Sequence, residues 1–367
     1  DANAQASGSL RFSSGSVQVI DPNNDNQPVS YTMMSNVGCG AGQVTPAGAP
    51  YAGFNVTNCG PDRLGSTFQL LDGTASQNSN VTANFVAPSE IDAASDVVDL
   101  KGTDGDLQVV QMSYDPAAMA ALGPVEYWTL ADLALGRVRW ENAASDNHGG
   151  PPPFYVGPRA YNAGTDFHLG YYGINLANHQ VWAVINHNSL FAAAIPFDLV
   201  SVVSRKTHGS AGTFDVNLPL SGAPGVECRN SGGNHTLVFT FKSNLASAGD
   251  VAVTAGAGSV AGAPTISANT LTVNLTGVAN AQVTTVSLHN TTDVANQVLD
   301  DTSVNVGFLL GDVNGDGSVN GADAIQARSR SGQAVSATSF RTDVNADGLI
   351  NGGDAIVVRS RAGSALP

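Results

Sequence analysis

Two stretches near the C-terminus carry oxygen-bearing side chains at a spacing that suits a hard cation. The first spans residues 312–323 and the second 343–354, 31 residues further on. Counted from one to twelve, both have oxygen side chains at positions 1, 3, 5, 9 and 12. These are Asp312, Asn314, Asp316, Asn320 and Asp323, then Asp343, Asn345, Asp347, Asn351 and Asp354. Position 7 ligates through its backbone carbonyl, so Ser318 and Leu349 both serve. Position 6 needs glycine for a sharp turn, and Gly317 and Gly348 supply it. Position 8 calls for an apolar residue pairing with the sister loop, and Val319 and Ile350 comply. Ca²⁺ takes six to eight oxygens at about 2.3–2.6 Å, so a loop must wrap the ion to gather them. One such stretch reads equally well as an Asp/Asn-rich turn. Two in one register point to a pair of EF-hand-like calcium loops holding two ions.

Positioning these ligands requires an element at the end of each loop. Residues 324–330 and 355–361 read as short helices, with Gly332 and Gly363 at matching C-terminal positions. Two calcium loops, each followed by a helix and joined by a linker, resemble a type I dockerin domain over residues 310–367. Aspartate at position 12, in place of the glutamate common in EF-hands, strengthens the likeness. The resemblance implies a calcium-dependent fold and an extracellular setting. Dockerins dock on cohesin domains largely through loop positions 10 and 11 and the helix that follows. Here those positions hold Gly321-Ala322 and Gly352-Gly353, and the helices lack a leucine-rich face. The calcium fold therefore carries over, whereas cohesin recognition is not expected.

Other residues that bear chemistry form no comparable pattern. Cys39 and Cys59 share similar surroundings, each followed by glycine, and are expected to form a disulfide, as suits an extracytoplasmic protein. Cys228 is left over and reads as a buried free thiol. His148, His168, His179 and His187 crowd one region with Trp128, Trp140 and Trp182, but without metal-ligand spacing. Strand and turn histidines are the commoner outcome. Asp115, Glu126, Glu141, Asp146 and Asp166 offer carboxylates for a glycosidase pair, yet sequence cannot set their separation. Tyr155, Tyr161, Tyr171, Tyr172 and Trp182 suit either a sugar-stacking platform or an aromatic core. No catalytic residue and no cofactor beyond calcium is expected.

Composition favours a mainly β chain. Of 367 residues, 41 are glycine and only 12% are charged, a poor supply for long helices. The net charge of −15 repels phosphate backbones, so nucleic acid is not an expected partner. Two bound calcium ions would leave about −11. No apolar run reaches the ~18 residues of a membrane span. The polar opening at Asp1 reads as a mature chain whose leader has been removed.

Three regions are expected. Residues 1–204 read as a β-rich domain, 205–309 as an Ig-like sandwich of six or seven short strands, and 310–367 as the small helical calcium module. Within the first, residues 1–20 alternate as a strand and read either as a strand donated to a neighbouring molecule or as the first strand of their own sandwich. Asp115 and Pro116 open one helix that Gly123-Pro124 stops, and 126–137 reads as a second. A hairpin is expected around 175–179. Taken together, the sequence points to a non-enzymatic extracellular bacterial protein, self-associating as a filament or biofilm-matrix subunit. The alternative is a dockerin-bearing carbohydrate-active enzyme, lectin or adhesin with a glycan ligand.

Overall fold

Short polar and β-branched residues between glycine-rich turns build strands throughout the chain, and helices are few and brief. The computed structural model describes residues 66–74, 82–86, 93–101, 103–133, 139–230 and 232–367. Before residue 66 it describes strand backbone alone, at Leu10–Phe12, Gly15–Ile20, Pro28–Met33, Gly40–Gln43 and Phe54–Asn58. The fold is mainly β, as expected, with a small helical region at the C-terminus. Two compact units emerge. One comprises residues 1–197 with 294–297, and the other 198–293 with 298–367.

In the first unit an eight-stranded sheet is centred on Thr67–Gly73, Gln108–Ser113 and Gln180–Ile185. A five-stranded sheet carries Thr129–Asp132, Leu190–Ala194 and Val97–Lys101. Phe68, Leu70, Val110, Met112, Leu130, Val181, Ala183 and Phe191 are all fully buried in one apolar cluster. Pro116–Leu122 is the expected helix. Asp115 caps it, accepting from the Ala117 and Ala118 N–H groups, and Gly123 ends it. The hairpin joining Tyr171–Asn175 to Gln180–Ile185 is also present, with His179 at φ +53 in its turn.

One expectation needs correction here. Of the expected helix at 126–137, the described part, up to residue 133, is not α-helical: a 3-10 turn at Val125–Tyr127 leads into the strand Thr129–Asp132, all four of whose residues are buried. Pairing with both Leu190–Ala194 and Glu141–Asn142 outweighs the weak helix preference of this stretch. In the N-terminal segment Leu10–Phe12 pairs with Gly40–Gln43, and Gly15–Ile20 with Pro28–Met33.

The second unit is built on two main sheets, with a short two-stranded pair of Leu245–Ser247 and Thr292–Asp293 beside them. The strand order of the larger runs Gly212–Leu218, Leu199–His208, His235–Phe241, Thr270–Thr276, Ser259–Val260. The smaller runs Gly225–Glu227, Thr302–Phe308, Gln282–His289, Asp250–Ala255. Period-two alternation is clear in Thr270–Thr276, where Leu271, Val273 and Leu275 are buried and their neighbours are not. The chain leaves the last strand at Phe308 and enters the first candidate loop four residues later, in the same unit.

Candidate metal centre

Each loop begins on an aspartate that folds the backbone around itself. Asp312 Oδ1 accepts from the N–H groups of Gly315 (2.7 Å) and Asp316 (3.2 Å), and Oδ2 from Gly317 (2.9 Å). Asp343 repeats this with Asp347 (3.2 Å) and Gly348 (2.9 Å). The sixth-position glycines have φ +85 and +91, a left-handed turn that side chains resist. Inside each turn, Asn314 and Asn345 donate to Asp316 (2.9 Å) and Asp347 (2.8 Å).

Each loop closes on a second aspartate. Asp323 accepts from the N–H groups of Val313, Asn314 and Asn320, and Asp354 from those of Asn345 and Asn351. These aspartates are also the third residues of helices Gly321–Ser329 and Gly352–Ser360. Asn320 and Asn351 are the N-caps, so loop closure and helix start form one capping box. This moves both helix starts three residues earlier than expected, to the glycines at loop position 10. The two halves then exchange a bond each way. The N–H of Gly332, after the first helix, donates to Ile350 O (2.8 Å), and that of Gly363, after the second, to Val319 O (2.9 Å). Val319 and Ile350 are buried, but these backbone bonds run to the glycines and not between the sister loops.

Asp312, Asp323, Asp343 and Asp354 are fully buried. Burial pushes the carboxyls of Asp312 and Asp354 up, and neighbouring aspartates add to it, although backbone N–H groups oppose the rise. Among the described residues no three His, Cys, Asp or Glu side chains converge as a metal cluster. The donor set is instead mixed: aspartates at positions 1, 5 and 12, asparagines at 3 and 9, and the carbonyl of Ser318 or Leu349 at 7. Oxygen-only donors on a glycine-turned loop, with buried acids facing one another, fit Ca²⁺.

Elsewhere the sequence candidates take structural places. Asp115 is a helix cap, and Asp166 is held by Arg159 at 2.5 and 2.6 Å. His187 bonds to Ala143 O (2.9 Å), and its ring lies 6.2 Å from that of His148. Trp128, Trp140 and Trp182 are buried, and Tyr161 packs edge-on against Trp182. Phe154 and Tyr155 are exposed, their rings tilted against those of Tyr171 and Tyr172 at 5.0 and 5.4 Å. Cys228 is a buried free thiol, whose pKa burial raises to about 11. Cys39 and Cys59 lie outside the described residues.

Sequence reasoning missed two sets of residues. Ile325 and Ile356 occupy equivalent repeat positions and are 71% and 68% exposed. The 31-residue period carries that signal, since both copies place isoleucine two residues beyond the closing aspartate. The second set is the buried group His208, Glu227 and Arg229, whose positions in the sequence give no sign of convergence.

Compared with known proteins, residues 310–361 match the model of the dockerin type I domain. No curated protein and no solved structure matches the chain. Dockerin type I domains bind calcium, so the C-terminal module is a calcium-binding one. They are protein–protein interaction modules, normally for cohesin, and are typically found on extracellular proteins. The usual partner runs against the expectation drawn from the small residues at loop positions 10 and 11.

Proposed function

We propose that this chain is a secreted, non-enzymatic structural protein that binds two calcium ions and joins an extracellular assembly, a filament or matrix, through its dockerin module. Asp312, Asn314, Asp316, Ser318, Asn320 and Asp323 hold one ion. Asp343, Asn345, Asp347, Leu349, Asn351 and Asp354 hold the other. The observation that carries the reading is the pair of buried-aspartate loops within the dockerin match. Ile325 and Ile356 support an attachment role, because each repeat leaves an isoleucine exposed at the same helix position, an apolar contact point for a partner. Arg328 and Arg359 lie one helical turn further on and add positive charge, which suits an acidic partner surface such as a second copy of this chain.

Electron microscopy of the purified chain, with calcium and with chelator, tests the assembly. Ordered polymers that form only with calcium are the expected result. A monodisperse monomer at high concentration in calcium would overturn self-assembly. A carbohydrate-active or adhesive role is the second reading, favoured by the exposed Phe154 and Tyr155 packed against Tyr171 and Tyr172. Binding to a glycan panel that is lost in Tyr155→Ala would establish it in place of the first.

A further inference from the structure

The two calcium loops differ in what surrounds them. Asp312 takes hydrogen bonds from its own loop, whereas Asp343 also takes one from a strand of the larger sheet. His208, the last residue of Leu199–His208, places Nδ1 2.8 Å from Asp343 Oδ2, with both side chains fully buried. A carboxylate accepts, so Nδ1 carries the proton, and Nε2 accepts from Arg229 Nη1 at 3.1 Å. Arg229 is fixed in turn. Its Nε and Nη2 donate to Glu227 at 2.8 and 2.6 Å, and Nη2 and Nη1 donate to the carbonyls of Ser204 and Phe214. This buried chain sets both the tautomer and the tilt of the imidazole.

The backbone on either side is tied as well. The Gly209 N–H donates to Ala346 O at 3.1 Å, and the Asn230 N–H to Val344 O at 2.6 Å. Contact is so close that a Cβ on Gly209 would lie 2.1 Å from the Asp347 carbonyl oxygen, and one on Gly348 2.8 Å from that of His208. Phe340, just before the loop, stacks on Phe214 at 5.5 Å beneath Arg229. Positions 1, 2, 4, 5 and 6 of the second loop thus rest on residues 208, 209 and 230. Nothing comparable from the larger sheet touches the first loop among the described contacts.

We infer that the second calcium site is a composite one: the sandwich completes it, with His208 as a positioning residue that orients the first ligand, Asp343. The inference rests on the calcium reading above. Outer partners of metal ligands, when removed, cost about 10- to 100-fold in affinity. Binding is reciprocal, so calcium at this loop also tightens the hairpin formed by Leu199–His208 and Gly212–Leu218. The first loop meets the smaller sheet through Arg341, which donates to Asp312 O, Val313 O and Val226 O, but among the described contacts no side chain of either sheet bonds to the Asp312 carboxylate.

Calcium titration of the full chain, by competition with a chromophoric chelator, tests it in two backgrounds. Asp312→Ala leaves the second site alone, and Asp343→Ala leaves the first. His208→Phe keeps a ring edge-on to Phe214 and Phe340 but removes the donor. It should weaken calcium at least tenfold in the Asp312→Ala background and less than twofold in the Asp343→Ala background. His208→Asn, which keeps an N–H near the Nδ1 position, should restore most of the loss. Amide exchange in residues 199–218 should slow at least tenfold with calcium in the Asp312→Ala chain and stay unchanged in the Asp343→Ala chain. Equal effects of His208→Phe in both backgrounds, or none in either, would overturn the composite site while leaving two calcium loops in place. No calcium binding in the unsubstituted chain would overturn the reading on which it rests.

Discussion

Single side chains carry the calcium case. The opening and closing aspartates of each loop are buried among backbone N–H groups and like charges, with His208 beside Asp343 and the Arg341 guanidinium near Asp312. Calcium relieves that repulsion and binds the folded form selectively, adding about 2.7 kcal/mol when present at a hundred times its Kd. Asp312→Ala and Asp343→Ala should each remove part of the calcium-dependent rise in melting temperature, and the double variant all of it. Thermal melts in calcium and in chelator measure this. A second prediction concerns His235. Burial, aided by the charges of Lys206 and Arg229 against Glu227, lowers its pKa to about 4, and its ring lies 4.3 Å from that of Phe308. The unfolded chain binds the proton more readily, so this contribution is full above about pH 6.5 and is lost as pH falls toward 4. The loss is on the order of 3 kcal/mol at most, less for a ring that keeps some solvent contact. Urea denaturation of wild type and His235→Gln between pH 7 and 4 should show a flatter profile in the variant.

At the scale of elements, the calcium module is a pair of loop–helix units whose helix starts are also loop ends. Asn320 and Asn351 show why: an asparagine followed three residues later by aspartate is a cap as well as two ligand positions. The loops and the presence of a helix after each were legible in the sequence, although the overlap of loop end and helix start was not; the strands of the second unit were legible too, because alternation survives in residues such as Leu271, Val273 and Leu275. The strand Thr129–Asp132 was not legible, since a buried run carries no period that separates strand from helix. Gly209 gives a test at this scale. At φ +46 and against the Asp347 carbonyl, Gly209→Ala should cost well over 1 kcal/mol of stability in the second unit. Gly212→Ala, at φ +116 with open space around it, should cost less. Chemical denaturation of both variants checks the order. The helices give another: Ile325→Asp with Ile356→Asp should abolish calcium-dependent association without shifting the melting temperature, because both side chains are exposed.

For the whole molecule, the chain groups into two units, and residues 294–297 belong to the first although they lie between strands of the second. Within the first unit, Gln297 accepts from the Trp140 N–H and donates to Ile195 O, both at 2.8 Å. The N-terminal strands bear on the expected disulfide. Gly40, which follows Cys39, pairs with Asn58, which precedes Cys59. A Cys39–Cys59 bond would close a loop of about 20 residues and contribute on the order of 3 kcal/mol. Peptide mapping without reductant should recover the two cysteines linked and Cys228 as a free thiol. Free thiols at both positions would refute the bond.

Local pattern encodes the calcium loops and the strand-built architecture: ligands eleven residues apart at most, glycine where φ must be positive, and an alternation of period two. Tertiary structure alone decided that His208, Glu227 and Arg229 stand behind Asp343, that Ile325 and Ile356 face solvent, and that 129–132 is a strand. Each of these depends on which distant segment a residue meets. His208 and Asp343 are 135 residues apart in the chain yet share a 2.8 Å hydrogen bond, and no local pattern encodes such a meeting.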